Sequence, residues 1–213
     1  MALKVYIAGD IFTHKDRLGN LILADAINKK SKGRFNCFLP QNLEQEIVHL
    51  EDIRNKCLIE VMQSDLVLVN FDGAELDSGT VVEYMYAKLL DIPCVILRTD
   101  FRLGGDSAEG DPWNLMCSYY PRTEISINGG IVWYKDTINN NNIDIIYEKI
   151  ATEIINKMER ALKTPSIIHT DPVKAKEIYK WALNFPGGKL KNIISDEELD
   201  KIILRKNEHS AYN

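Results

Sequence analysis

Apolar residues along this chain follow two periods. The run Leu3–Ala8 is short and apolar and ends at the pair Gly9-Asp10, which predicts a strand and a turn. Over residues 17–32, Leu18, Leu21, Leu23, Ala24 and Ile27 fall at helical steps. Residues 35–39 predict a second strand, stopped by Pro40. Over 46–64, Ile47, Leu50, Ile53, Cys57, Leu58, Val61 and Met62 recur every three or four positions, which predicts an amphipathic helix. Residues 66–71, Leu-Val-Leu-Val-Asn-Phe, are apolar almost throughout, as in a parallel-sheet strand buried on both faces. A loop at 72–79, a helix over roughly 81–91 and a fourth strand at 93–98 follow. Residues 100–112 are rich in Gly and Asp and predict a loop, and 131–134 a shorter fifth strand.

Strands alternating with helices imply βαβ units and a parallel sheet. The expected fold is α/β, a flavodoxin-like three-layer parallel sheet with a helical C-terminal extension. The character changes at 139–142, a run of four asparagines that predicts a linker. Beyond it the pattern predicts a long amphipathic helix at 143–163 and another at 171–183, opened by Pro172 in its first turn. Ser195 and Glu198 have capping-box spacing, so a third helix should run to about 205. The chain is therefore divided into an α/β domain, 1–140, and a helical extension, 141–213.

Composition adds exclusions. Of 213 residues 45% are apolar and 27% charged, the balance of a globular protein. A net charge of -5 lacks the basic footprint that nucleic-acid polymers require. No apolar run approaches the ~18 residues of a membrane span. The first residues lack the regions of a signal peptide, so a cytoplasmic location is expected. Cys37, Cys57, Cys94 and Cys117 have neither C-x-x-C nor zinc spacing, which fits free thiols in a reducing compartment.

In open parallel sheets the ligand crevice lies beyond the carboxyl ends of the strands. Residues 9–14, 40–43, 72–83 and 99–114 should converge there, bringing Asp10, Asp72, Asp77 and Glu83 together. Cations suited to a phosphate are fewer: Lys15, Arg17, Arg98 and Arg102. Neither G-x-G-x-x-G nor a P-loop occurs. Glu83 has two readings. Near a helix N-terminus the dipole favours an ionised carboxylate, as a nucleophile requires. Thr80-Val81-Val82-Glu83 is equally a capping-box pattern, in which Glu83 only bonds back to the backbone. Tyr6 could be an ordinary core residue, Asp72-Gly73 a turn, Asp77 a helix cap, and Trp113 and Met116 plain packing.

The stretch from Asp65 to Gly73, followed by Asp77-Ser78-Gly79-Thr80-Val81-Val82-Glu83, resembles the signature of nucleoside 2-deoxyribosyltransferases. Val5-Tyr6-Ile7-Ala8-Gly9-Asp10-Ile11-Phe12 resembles that family's first strand and loop, and Pro112-Trp113-Asn114-Leu115-Met116 its Pro-x-Asn-Leu-Met segment. The resemblance covers roughly residues 4–118. It implies that Glu83 attacks the anomeric carbon of a 2-deoxyribose while the Tyr6 hydroxyl holds its carboxylate. Asp77 then orients the sugar hydroxyls. Asn114 and Met116 reach the sugar, usually from a neighbouring subunit, which implies a homo-oligomer with shared active sites. The expected catalytic set is Glu83, Asp72 and Tyr6. The expected substrate-binding set is Asp77, Asp10, Gly9, Ser78, Asn114 and Met116.

The chain departs from the family pattern at Asp10, where Pro or a small residue is common, and at Met85, where Gly is common. It departs again at Cys57, where the family often places an Asn or Asp that handles the base. Protonation of the departing base then falls to Asp72, Asp10 or water. The implied substrates are small deoxynucleosides and free nucleobases. Nucleic-acid polymers, membranes, metals and cofactors are not expected, and His14, His49, His169 and His209 lack metal-ligand spacing. Rival readings are a 2'-deoxynucleoside 5'-monophosphate N-glycosidase with Ser78, Arg17 and Arg102 on the phosphate, a Mg²⁺-dependent phosphohydrolase, and a non-catalytic nucleotide-binding module.

Overall fold

A computed structural model of the chain describes residues 2–43, 49–102, 110–138 and 144–211, with only the backbone at 133, 136–138 and 209–211. Five parallel strands form one sheet: β1 (Leu3–Ala8), β2 (Phe35–Phe38), β3 (Leu66–Asn70), β4 (Cys94–Arg98) and β5 (Thr123–Ile127), in the order β2-β1-β3-β4-β5. That is the flavodoxin-like order. Because β1 lies between β2 and β3, the connections leave it in opposite directions, and a crevice opens beyond Ala8 and Asn70.

Alternation along the strands sorts their side chains onto two faces. Val5, Ile7, Leu66, Leu68, Val95 and Leu97 pack under α1 (His14–Lys30) and α5 (Asp144–Lys163), which contribute Leu23, Ile27, Ile150, Ile154 and Met158. Tyr6, Ala8, Val67, Val69 and Ile96 pack under α2 (Leu50–Gln63) and α3 (Ser78–Leu89). Over these lie α6 (Pro172–Asn184) and α7 (Asp196–Ala211), through Tyr179, Ala182, Leu199 and Ile202. Residues after 140 thus cover both faces of the sheet.

Local signals explain the helix starts. Thr13 and Asp16 form a capping box ahead of α1. Asp171 caps α6, with Pro172 at its first position. Ser195 and Glu198 make the reciprocal bonds of a capping box at α7. The linker predicted at 139–142, and Glu46 and Ile47 of the helix predicted at 46–64, lie outside the described residues.

The fifth strand is not where the apolar run placed it. Residues 131–134 belong to α4 (Gly130–Ile138), and Ile131, Val132 and Tyr134 are exposed on it. The strand is Thr-Glu-Ile-Ser-Ile at 123–127, whose polar residues disguise it. A short apolar run has no period of its own, and here the packing decided it.

At the amino edge of the sheet, the α5–α6 connection is anchored by Asp91. Its Oδ2 accepts hydrogen bonds from Ser166 Oγ (2.5 Å) and the Ile167 amide (2.8 Å) and pairs with buried Arg122 at 3.1 Å. Removing one partner of such a buried pair costs on the order of 3–5 kcal/mol. Nearby, Arg205 of α7 pairs with Asp65 at 3.1 Å, and Lys206 donates to the Ser64 carbonyl.

Candidate active site

Tyr6 is fully buried on β1, facing α2 and α3, with its ring stacked on Phe38 at 5.9 Å. Its hydroxyl donates to Glu83 Oε1 at 2.5 Å and also meets the Cys57 thiol. Burial, then the charge of Glu83, then Cys57, hold the Tyr6 pKa well above its ordinary value. Tyr6 is therefore a fixed proton-bearing donor aimed at the carboxylate.

The capping reading of Glu83 does not fit the geometry. The N-cap of α3 is Asp77, whose Oδ2 accepts from the Thr80 amide at 2.7 Å and from Thr80 Oγ1 at 2.8 Å. Thr80 is a first-turn residue, so Glu83 stands in the second turn rather than the first. The dipole expectation fails with it, because that field fades beyond the first turn. Burial instead pushes the Glu83 carboxyl up to about 7, opposed by the Tyr6 hydrogen bond and reinforced by the charge of Asp77. The site thus holds a half-buried carboxylate with one strong donor, beside a second carboxylate.

Asp72 is engaged differently. Oδ1 accepts from the Thr99 amide (2.5 Å) and the Asp100 amide (2.8 Å), and Oδ2 accepts from Thr99 Oγ1 (2.6 Å). It ties the exit of β3 to the exit of β4. Asp10 receives no hydrogen bond on its carboxylate among the described residues. Burial, then Asp77, Asp16 and Asp72, raise its pKa. Gly9 allows the loop after β1 to pass close to β3, since a Cβ there would stand 3.1 Å from Asn70 Cβ.

Ser78 is exposed at the start of α3. Asn114 accepts from the Met116 amide at 2.9 Å and caps the short turn Leu115–Cys117, and Met116 is exposed. The candidate phosphate ligands at β4 are already bonded. Arg98 is buried and donates to the carbonyls of Phe71, Gly73 and Arg102, and Arg102 pairs with Asp100. Among the described residues, no group of three His, Cys, Asp or Glu side chains is arranged to hold a metal ion.

Sequence reading missed the parts played by Asn70, Thr99 and Phe38. Asn70 ends a predicted strand, and its position at the carboxyl edge was the available signal. Thr99 carried none, because its role depends on β4 lying beside β3.

The sequence model of a family described as "Nucleoside 2-deoxyribosyltransferase" matches residues 5–116. No curated protein matches the sequence. Similar solved structures include a conserved protein from Enterococcus faecalis V583, with 20% identity, TM-score 0.48, and 75% of this chain and 99% of that one covered. Another is a 2-desoxiribosyltransferase from Leishmania mexicana, with 19% identity, TM-score 0.47, and 63% and 97% covered. A third is a CMP N-glycosidase from Clostridium botulinum, with 12% identity, TM-score 0.41, and 64% and 98% covered.

Proposed function

The chain belongs to the nucleoside 2-deoxyribosyltransferase family, and from that premise we propose that it transfers 2-deoxyribose between nucleobases through a covalent ester on Glu83. The observation that carries this reading is the Tyr6–Glu83 pair: a carboxylate free of any capping duty, gripped by one hydroxyl at 2.5 Å.

In the first half-reaction a Glu83 oxygen attacks the anomeric carbon as the bond to the base breaks. The transition state is oxocarbenium-like, and the product is a glycosyl ester. A 2-deoxy sugar reaches that state more readily because no 2'-hydroxyl withdraws electrons. Tyr6 holds the attacking carboxylate in one orientation, and Asp77 binds the sugar hydroxyls. The departing base takes its proton from Asp10, since both oxygens of Asp72 are occupied by donors. In the second half-reaction a nitrogen of the incoming base attacks the same carbon, gives up its proton and frees the carboxylate.

Neutral nucleosides fit better than nucleotides. Arg98 and Arg102 are held in the loop after β4, and Asp10, Asp16, Asp72 and Asp77 lie close enough to act on one another. Such a field repels a 5'-phosphate. Asn114 and Met116 complete the site of a neighbouring subunit, consistent with the exposure of Leu115, Met116 and Tyr119.

The test is to incubate the protein with thymidine, with thymidine monophosphate, and with either plus a second free base. A new deoxynucleoside only when the second base is added to thymidine supports the reading. Cleavage of the monophosphate alone, or no cleavage of either, overturns it.

A further inference from the structure

Between α1 and α5, on the sheet face opposite Tyr6 and Glu83, lies a cavity of about 200 Å³. Its apolar wall is Leu23, Leu97 and Ile150. Its rim carries two amides, Asn20 and Asn70. Each amide has one end fixed. Asn20 Nδ2 donates to the Asp10 carbonyl at 2.9 Å, and Asn70 Oδ1 accepts from the Asp72 amide at 3.0 Å. These bonds set which atom of each amide remains. Asn20 Oδ1 is left as an acceptor and Asn70 Nδ2 as a donor, neither with a partner among the described residues. Asn20 is only 5% exposed, so its free oxygen is a buried group whose hydrogen bond is still to be made.

Gly19 adds a second observation. It lies inside α1, where glycine costs about 1 kcal/mol relative to alanine. A Cβ there would meet only Tyr147 Oη, at 3.6 Å. The absent side chain therefore keeps open space that a better helix former would fill.

We propose that this cavity is a second, non-catalytic binding site for a free nucleobase of pyrimidine size. A dry cavity of about 150 Å³ admits benzene, so this one has room for a six-membered ring with its exocyclic oxygens. An oriented acceptor beside an oriented donor matches the N–H and C=O of a lactam edge, while the apolar wall takes the ring face. Asp10, Asp16 and Asp72 against Lys15 on the same lining exclude an anion, and hence a nucleotide. The choice of a nucleobase among lactams rests on the proposed function, which makes free bases its substrates and products.

The experiment follows the Ile150 methyl signal of isoleucine-labelled protein during titration with uracil and with 1,3-dimethyluracil. Uracil should shift that signal to saturation. The dimethyl compound has no N–H and should bind there roughly tenfold or more weakly, the scale of one lost hydrogen bond. Gly19→Leu, which favours the helix, should abolish the shift, while Glu83→Gln should preserve it. An unmoved Ile150 signal, equal binding of the two compounds, or an undiminished shift in Gly19→Leu overturns the proposal. Failure of the catalytic reading shows elsewhere, as the absence of a deoxyribosyl adduct on Glu83 after exposure to thymidine.

Discussion

The hydroxyl of Tyr6 lies 2.5 Å from Glu83 Oε1, across 77 positions of sequence and between a strand and a helix. A buried hydrogen bond to a charged group contributes about 1.5–3 kcal/mol. Here it opposes the burial that raises the carboxyl of Glu83.

Tyr6→Phe should therefore retain the fold and lower kcat/KM roughly ten- to a hundredfold, at about 1.4 kcal/mol per tenfold. It should also move the acidic limb of the pH profile upward, because the lost donor favoured the ionised form. A purely structural tyrosine would leave that limb in place.

The wild-type profile itself follows from Glu83. A nucleophile must be ionised, so activity should rise with pH through about 7 and fall by one proton below it. Measuring kcat/KM for thymidine from pH 5 to 9 checks this. A flat profile across that range would remove Glu83 as the ionising nucleophile.

Asp72→Asn should cost stability more than chemistry. The new Nδ2 would face a donor of Thr99 or Asp100, at about 1–3 kcal/mol for unmade bonds. A lower melting temperature with turnover largely retained is expected. Full stability with lost turnover would make Asp72 the acid instead of Asp10.

Much of the architecture was legible because a doubly covered parallel sheet writes apolar strands such as Leu66–Asn70. Helix starts were legible where a cap is local, as at Ser195 and Glu198. The edge strand at 123–127 was not, because one side of an edge strand tolerates polar residues. The site divided in the same way. Spacing singled out Glu83 and Asp77 but offered a false cap at Thr80, since α3 begins two residues earlier. The three-way tie of Asp72 to Thr99 and Asp100 arises only when β3 and β4 pair. No local pattern records such a contact.

Assembly can be tested at the segment that carries Asn114. Met116 is 69% and Tyr119 90% exposed, unusual for an apolar pair flanking a capped turn. Met116→Glu should weaken oligomerisation in light scattering and reduce activity together. A wild-type monomer at micromolar concentration with full activity would dismiss the shared site.

The last prediction separates folding from chemistry at Glu83. Glu83→Gln keeps the side chain's shape and an oxygen that accepts from Tyr6, so the fold should persist. It should also be more stable than wild type at high pH. The folded carboxyl titrates near 7 against an ordinary 4.5, so between those values the folded state binds more protons than the unfolded. Wild-type stability attributable to this group therefore falls as pH rises through that window, and the amide escapes the loss. The gain should be on the order of 1–3 kcal/mol at pH 8 and vanish near pH 4. Activity should move the other way. An amide has no anionic oxygen to attack the anomeric carbon, so turnover should drop by about a thousandfold or more, roughly 4 kcal/mol of transition-state stabilisation. Glu83→Ala should be equally inactive. In wild type given a deoxynucleoside and no acceptor, mass spectrometry should find a deoxyribosyl adduct on the peptide containing Glu83. Near-normal turnover in Glu83→Gln would refute the nucleophile, and a Gln variant less stable than wild type at pH 8 would refute the burial argument for its raised pKa.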